Sequence, residues 1–225
     1  MNKKIIIIGI LIIIAVLAGF GVFYFVKIRQ AENQQQGFAY EIDFSKASNI
    51  SEEQLKRLKD DYQKAKETYL KTPDNFDSLM ILGFINYQLK NYDKAKGIYI
   101  KVGENSPLNY NSFWNLGNTY IKLQDYSNAE KAYLKAIENG PNLAMFYRAL
   151  GELYWYNLQD KKSQIPSLYT QGLKTIPDDY DLLIGLAEYY RDTGDKTNAI
   201  KYYQQVVSKY PDFASRINEE IQNLK

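Results

Sequence analysis

Prolines punctuate this chain at a near-constant interval. Pro73, Pro107, Pro141, Pro177 and Pro211 follow one another at spacings of 34, 34, 36 and 34 residues. Proline lacks the N–H that a helix interior needs, and its ring collides with the preceding turn, so each one ends a helix. Three residues beyond each, a new amphipathic segment opens, at Phe76, Tyr110, Ala144, Tyr180 and Ala214. A unit this short cannot bury its own apolar face and is stable only when stacked on copies of itself. The interval therefore predicts an all-α solenoid and argues against a single-core globule.

The unit at 110–143 is the most legible. Phe113, Leu116, Gly117 and Tyr120 form one stripe at helical spacing. A polar turn at Gln124-Asp125 follows, then a second stripe of Tyr126, Ala129, Tyr133, Ala136 and Ile137. Asn139-Gly140-Pro141 closes the pair, with Gly140 where a helix end favours a left-handed residue. Leu82-Gly83, Leu116-Gly117, Leu150-Gly151 and Leu186-Ala187 each join a large residue to a very small one. The small residue allows close approach of the two helices, helped by Ala95, Ala129 and Ala199 on the second helix. Tyr99, Tyr133, Tyr169 and Tyr203 are expected to fill the gaps between neighbouring units.

This recurring L-G-x-x-Y, Ala, Tyr, Pro order resembles the tetratricopeptide-repeat family over residues 76–213. The resemblance implies a right-handed superhelix of antiparallel helix pairs that holds partner proteins. Four units follow, at 76–109, 110–143, 144–179 and 180–213. A degenerate half unit at 51–75 precedes them, with Leu58, Tyr62, Ala65 and Tyr69 as its stripe. A capping helix at 214–225 ends them, with Ile217, Ile221 and Leu224 inward and Glu219, Glu220 and Lys225 outward. Two departures stand out. Asn86 replaces the tyrosine found at Tyr120, Tyr154 and Tyr190. The third unit is two residues longer than the others: Asp160-Lys161-Lys162 extends its inter-helix turn, and Ile165, with Pro166 beside it, stands where the other units have alanine.

Ahead of the repeats, Ile5 to Val26 carries no charged or amide side chain. A helix over that run spans roughly 33 Å, enough for a bilayer core of about 30 Å. Lys3 and Lys4 flank it on one side and Lys27 and Arg29 on the other, with Phe20, Phe23, Tyr24 and Phe25 at its far end. Residues 1–29 are therefore expected to be a single-pass transmembrane anchor. A cleaved signal peptide ending at Ala18 is the alternative, but the apolar run continues well past it. The short basic tail favours a cytoplasmic N-terminus and an extracytoplasmic repeat domain. Residues 30–50, rich in Gln, Asn, Ala and Ser, hold no period and suggest a flexible tether, before a capping-box pattern at Ser51-Glu52-Glu53-Gln54.

Composition removes several chemistries. The chain contains neither His nor Cys, so disulfides, thiol nucleophiles, imidazole bases and the common zinc and haem ligands drop out. Beyond residue 29 there are 24 basic and 26 acidic side chains, a poor balance for nucleic acid. Glycines are scattered singly, so no phosphate loop is present. Acid pairs such as Asp60-Asp61, Asp178-Asp179 and Glu219-Glu220 fall at turns or polar faces. No catalytic residue, metal site or cofactor is expected. Asn49-Ile50-Ser51 matches a glycosylation acceptor and reads as a chance match in a chain whose Lys, Ile, Asn and Tyr usage suggests a bacterial genome.

In a stack of helix pairs, the first helix of each unit lines the concave face. Each first helix carries a second stripe, one residue past its core stripe. It reads Met80, Phe84 and Tyr87; Trp114, Asn118 and Ile121; Arg148, Glu152 and Trp155; then Ile184, Glu188 and Arg191. Both tryptophans of the chain lie on it, and Trp, Tyr and Arg are common interface anchors. The stripe is apolar in the first two units and charged in the last two. It predicts a groove for an extended or helical peptide whose apolar part meets the first two units. The same apolar residues could instead widen the core, and Arg148 with Glu152 could be only a surface pair. Asn115, Asn118 and Arg148 match part of the family's carboxylate clamp, but the first unit lacks the Lys and Asn to complete it. The functional expectation is a membrane-tethered interaction scaffold, in envelope assembly, secretion or pilus biogenesis. A self-assembling envelope spacer and, more remotely, an enzyme acting on cell-wall glycans are the alternatives.

Overall fold

The computed structural model describes residues 39–47, 50–73 and 75–225. The expected anchor at 1–29 and the glycosylation match at Asn49 lie outside them, as does the tether up to residue 38. No described helix is long and apolar enough to cross a membrane. The chain divides into two compact units, one ending at Ser78 and one running from Leu79 to Lys225.

In the first unit, Ser51 caps α1 (Glu52–Lys71) with the predicted capping box: its Oγ accepts from the Gln54 N–H while Gln54 reaches back to the Ser51 N–H. Leu58, Tyr62, Ala65 and Tyr69 are its buried residues. Residues 39–47, read from sequence as tether, pack on this helix. Tyr40 meets Tyr69 edge-on at 5.3 Å, Phe44 meets Tyr62 at 5.5 Å, and Lys66 bonds Glu41 at 2.8 Å. Two aromatic rings of this segment, Tyr40 and Phe44, and a buried Ile42 supply contacts that a count of Gln, Asn and Ser conceals.

Eight further helices run in pairs: α2 (Phe76–Gln88) with α3 (Tyr92–Asn105), α4 (Tyr110–Lys122) with α5 (Tyr126–Asn139), α6 (Ala144–Tyr156) with α7 (Ile165–Thr175), and α8 (Tyr180–Asp192) with α9 (Lys196–Lys209). A last helix, α10 (Ala214–Leu224), buries Ile217 and Ile221 against the end of the stack. The described residues contain no strand. From Leu79 onward they form a solenoid of helix pairs.

Leu82, Leu116, Leu150 and Leu186 are buried at equivalent positions. Beside the first three, glycine is required by contact. A Cβ on Gly83 would stand 2.6 Å from the Tyr99 ring, and one on Gly117 would stand 2.5 Å from Tyr133. One on Gly151 would collide with the Tyr169 hydroxyl and ring. Each tyrosine thus presses into the small residue of its own pair, which the expectation of a gap between units did not include. Tyr99 and Tyr169 do also reach the next pair: Tyr99 clusters with Leu116 and Ala132, and Tyr169 lies against Gly185.

Helix ends follow local chemistry. Asp125, Asp179 and Asp195 cap α5, α8 and α9 by accepting N–H bonds from Asn128, Leu182 and Asn198. Two N–H donors of Asn198, backbone and side chain, hold the Asp195 carboxyl below its usual range. Gly140 is not left-handed: its φ is −137°, much like the other C-caps Ser106 at −137° and Tyr210 at −130°. It is glycine for space, since a Cβ there would press on Phe146 and Tyr110 at 3.0 and 3.1 Å. Left-handed residues occupy the turn within three of the pairs, at Lys90 (φ 61°), Gln124 (φ 59°) and Gly194 (φ 84°), and Asp178 (φ 62°) lies in the connection between the third and fourth pairs. Only the fourth pair uses the residue that adopts this backbone freely. Gln124→Gly should therefore raise stability by about 0.5–1 kcal/mol in urea titration. A loss would show that Gln124 makes a contact worth more than the strain.

The third pair has no such turn. Its extra residues form a 3-10 segment, Gln159–Gln164, leading into Pro166 in the first turn of α7. Lys161 from this segment bonds both oxygens of Glu130 on α5, which also accepts from the Tyr154 hydroxyl at 2.7 Å. Asn86 is buried where its counterparts are tyrosines; its amide donates to the Leu82 carbonyl at 2.9 Å and its Oδ1 has no partner among the described residues.

Candidate ligand groove

The second stripe on the first helix of each pair forms one face, and the four helices place its members differently. On α2, Phe84 is 45% exposed, while Met80 and Tyr87 are half-buried against the Tyr99 cluster. Tyr87 also meets Tyr92 edge-on at 5.5 Å. On α4, Trp114 is half-buried with its ring 6.3 Å from that of Phe146 in the next pair. It joins two repeats, the role of a core-widening residue. Ile121 likewise packs partly on the core.

Asn118 is held from below. The Tyr133 hydroxyl donates to its Oδ1 at 2.7 Å, having passed the opening that Gly117 leaves. Burial pushes the Tyr133 hydroxyl well above its ordinary range, as it does for Tyr99 and Tyr169. These hydroxyls stay protonated, and that of Tyr133 is the donor beneath Asn118. Tyr203 plays a related part under the fourth pair, where its oxygen accepts from Arg191 at 3.2 Å.

On α6, Arg148 spans two repeats. It donates to Asp181 at 3.0 Å and to Glu152 at 3.1 Å. Partial burial works against its charge, and the two carboxylates more than offset that. The pair with Glu152 is therefore one arm of a link between α6 and α8. Trp155 meets Tyr189 of α8 edge-on at 5.9 Å, and the ammonium of Lys162 lies 3.2 Å from the Trp155 ring centre. On α8, Arg191 contacts Asp192 and, at 3.5 Å, Glu220 of the last helix.

Nine of the twelve stripe residues line three concavities along this face. Tyr87, Asn118, Ile121 and Glu152 line one that runs from the first pair to the third. Arg148, Glu152, Trp155, Ile184 and Glu188 line the next, between the third and fourth pairs. Ile184, Glu188 and Arg191 line the last, with residues of α10. Met80, Phe84 and Trp114 line none of these. Sequence reasoning missed Tyr156, which is 70% exposed and lines the first two concavities, and also Asp181, Tyr189 and Asp192. Tyr156 and Asp192 stand four residues past Glu152 and Glu188, so a helical step beyond the stripe was the available signal. Among the described residues, no three His, Cys, Asp or Glu side chains converge as a metal site.

Residues 77–109 and 181–212 match the tetratricopeptide repeat family, and residues 110–143 match it through a second description of the same repeat. The unmatched pair, 144–179, carries the lengthened turn and Ile165. No curated protein matches the chain. Among solved structures, the crystal structure of MamA is similar at 19% identity and TM-score 0.58, over 75% of this chain and 99% of that one. A thermophilic TPR protein of Thermus thermophilus is similar at 16% identity and TM-score 0.53, over 76% and 91%. YrrB, described as a TPR protein with an unusual peptide-binding site, is similar at 13% identity and TM-score 0.53, over 68% and 78%. At these identities the likeness is one of fold. Residues 77–143 and 181–212 carry tetratricopeptide repeats.

Proposed function

We propose that this chain is a membrane-tethered scaffold that holds a peptide or protein segment along the first-helix face of its repeats. The observation that carries the reading is the contrast between the two stripes. The core stripe is sealed, with Leu82, Leu150, Leu186 and the tyrosines beneath it buried, while the neighbouring stripe lines a series of concavities. Phe84 and Tyr156 remain exposed on that face without serving the core. Exposed aromatics on a rigid surface are the kind of residue that anchors a partner. The apolar first half suits an apolar segment of the ligand. The peptide-binding site named for YrrB agrees with this use of the fold.

The tether is the run Ile5–Val26 with its basic flanks, which by length and charge fits a single-pass anchor with the repeats outside the cytoplasm. A scaffold so placed suits envelope assembly, secretion or pilus biogenesis.

Phe84→Ser together with Tyr156→Ser tests the groove without touching the core. In the full chain, capture of partners from detergent-solubilised membranes should fall at least about tenfold while helix content and melting stay unchanged. Full capture by the double variant would reject the groove.

A further inference from the structure

We infer that residues 39–47 are a strap that moves the point of membrane attachment from the start of α1 to its far end, and so holds the entry to the first helix pair close to the bilayer. This rests on the tether proposed above and adds how that tether meets the repeats.

The contacts of the strap run in order. Tyr40 meets Tyr69, Glu41 accepts from Lys66, and Phe44 meets Tyr62, with the Lys59 ammonium 5.9 Å from the centre of the same Phe44 ring. Strap numbers rise while helix numbers fall, so the segment lies antiparallel along α1. Helices joined by short turns pair in the same sense, and α1 lacks a first helix of its own among the described residues. The strap covers that face instead, with Ile42 buried between its two rings in sequence. Its turn at Phe44–Lys46 is fixed by Asp43, whose carboxylate accepts from the Ser45 N–H at 2.9 Å and the Ser45 hydroxyl at 2.6 Å. Two ring contacts, an ion pair and a capped turn within nine residues make this a docked segment.

Docking changes both the place and the length of the attachment. Without the strap, a tether would join the helix at Ser51. With it, the chain is first seated at Tyr69, which lies about 27 Å further along the helix at 1.5 Å per residue. Tyr69 stands two residues before the end of α1 at Lys71, and α2 begins at Phe76. The anchor is therefore joined to the end of α1 that leads into the first pair. Ten residue steps separate Arg29 from Ala39, and these extend to at most about 35 Å. The steps from Arg29 to Ser51 would extend to about 75 Å, so the strap halves the reach of the tether.

The chain has no cysteine, so a single label can be placed at either end of α1. A donor dye is attached to Lys71→Cys or to Glu52→Cys in the full chain, inserted into nanodiscs whose lipid headgroups carry an acceptor. Energy transfer from position 71 should exceed that from position 52. Tyr40→Ser with Phe44→Ser should release the strap, lower transfer at position 71 by about twofold and remove its lead. A Gly/Ser stretch of about twelve residues inserted between residues 38 and 39 leaves the docked contacts untouched. It should lower transfer at both positions while position 71 keeps its lead. Equal transfer from the two positions of the parent, or a lead for position 52, would overturn the strap and leave the tether standing. Transfer unchanged by the insertion would also overturn it, since the chain ahead of residue 39 would then not set the distance. A chain that does not enter the discs would overturn the tether and the strap together.

Discussion

Gly151→Val should cost at least about 3 kcal/mol of stability, enough to leave the repeat domain largely unfolded at moderate urea. A Cβ at residue 151 would lie 2.5 Å from Tyr169 Cζ and still closer to its hydroxyl, and valine adds two further carbons. The tyrosine cannot retreat, because its opposite edge already lies against Gly185, 2.6 Å from where a Cβ there would be. Overpacking of a single site costs about 1–3 kcal/mol when neighbours can adjust. Here one ring is confined by two glycines in successive pairs, so the expected loss lies at or above that upper end. Gly97 is the internal control. It is equally helical, but a Cβ there meets nothing within 4 Å, so Gly97→Val should be near neutral. Urea melts of the two variants side by side separate steric collision from loss of glycine itself. Equal stability of both would remove the tyrosine–glycine interlock as a determinant of the stack. Ala187, which takes the glycine's place beside Tyr203 in the fourth pair, indicates that alanine at 151 should be milder than valine.

This interlock marks how far the sequence could be read. Proline spacing and the Leu-Gly stripe place the pairs, because each reflects a local requirement: a helix must stop, or two backbones must approach. What the tyrosines do was only half visible. Their spacing shows that they face the core, but not that Tyr99, Tyr133 and Tyr169 each press on the glycine of their own pair, nor that the Tyr133 hydroxyl reaches Asn118. Gly140 was misread for a related reason. A glycine before a proline suggests a left-handed cap, yet the backbone there is one that serine and tyrosine also adopt in this chain, and the glycine answers to the rings of Phe146 and Tyr110. Residues 39–47 show the same limit. Composition marks them as linker, and the few side chains that pack them onto α1 are outvoted in any average.

The groove divides along similar lines. A stripe at helical spacing identifies which side chains share a face, and nine of its residues do line concavities. Periodicity carries no information about contacts between pairs. It could not show that Trp114 leans on Phe146, that Arg148 reaches Asp181 thirty-three residues away, or that Lys162 covers Trp155. For this reason Trp114→Ala is a poor probe of ligand binding: it also removes a contact between repeats. Phe84 and Tyr156, which are exposed and make no ring contact with another repeat among the described residues, are the cleaner sites.

Lys161→Met should cost about 2 kcal/mol, although Lys161 belongs to what reads in sequence as a loop insertion. Its ammonium is bonded to both oxygens of Glu130, whose side chain is only 14% exposed. Remove the ammonium and that carboxylate keeps one neutral donor, the Tyr154 hydroxyl at 2.7 Å. A largely buried charge left with too few partners costs more than the ion pair itself contributes, which sets this pair apart from exposed ones such as Arg57–Glu53. Methionine preserves the stem of the lysine, so lost packing is minimised. Adding Glu130→Gln to Lys161→Met should recover most of the loss, giving a coupling of about 1–2 kcal/mol in a double-mutant cycle measured by urea denaturation. Additive single effects would mean that the longer turn is only a tolerated loop. Strong coupling would mean that the two extra residues hold the third pair to α5, at the place where the stripe changes from apolar to charged. The repeat that departs most from the pattern would then be the one that sets the junction between the two halves of the groove.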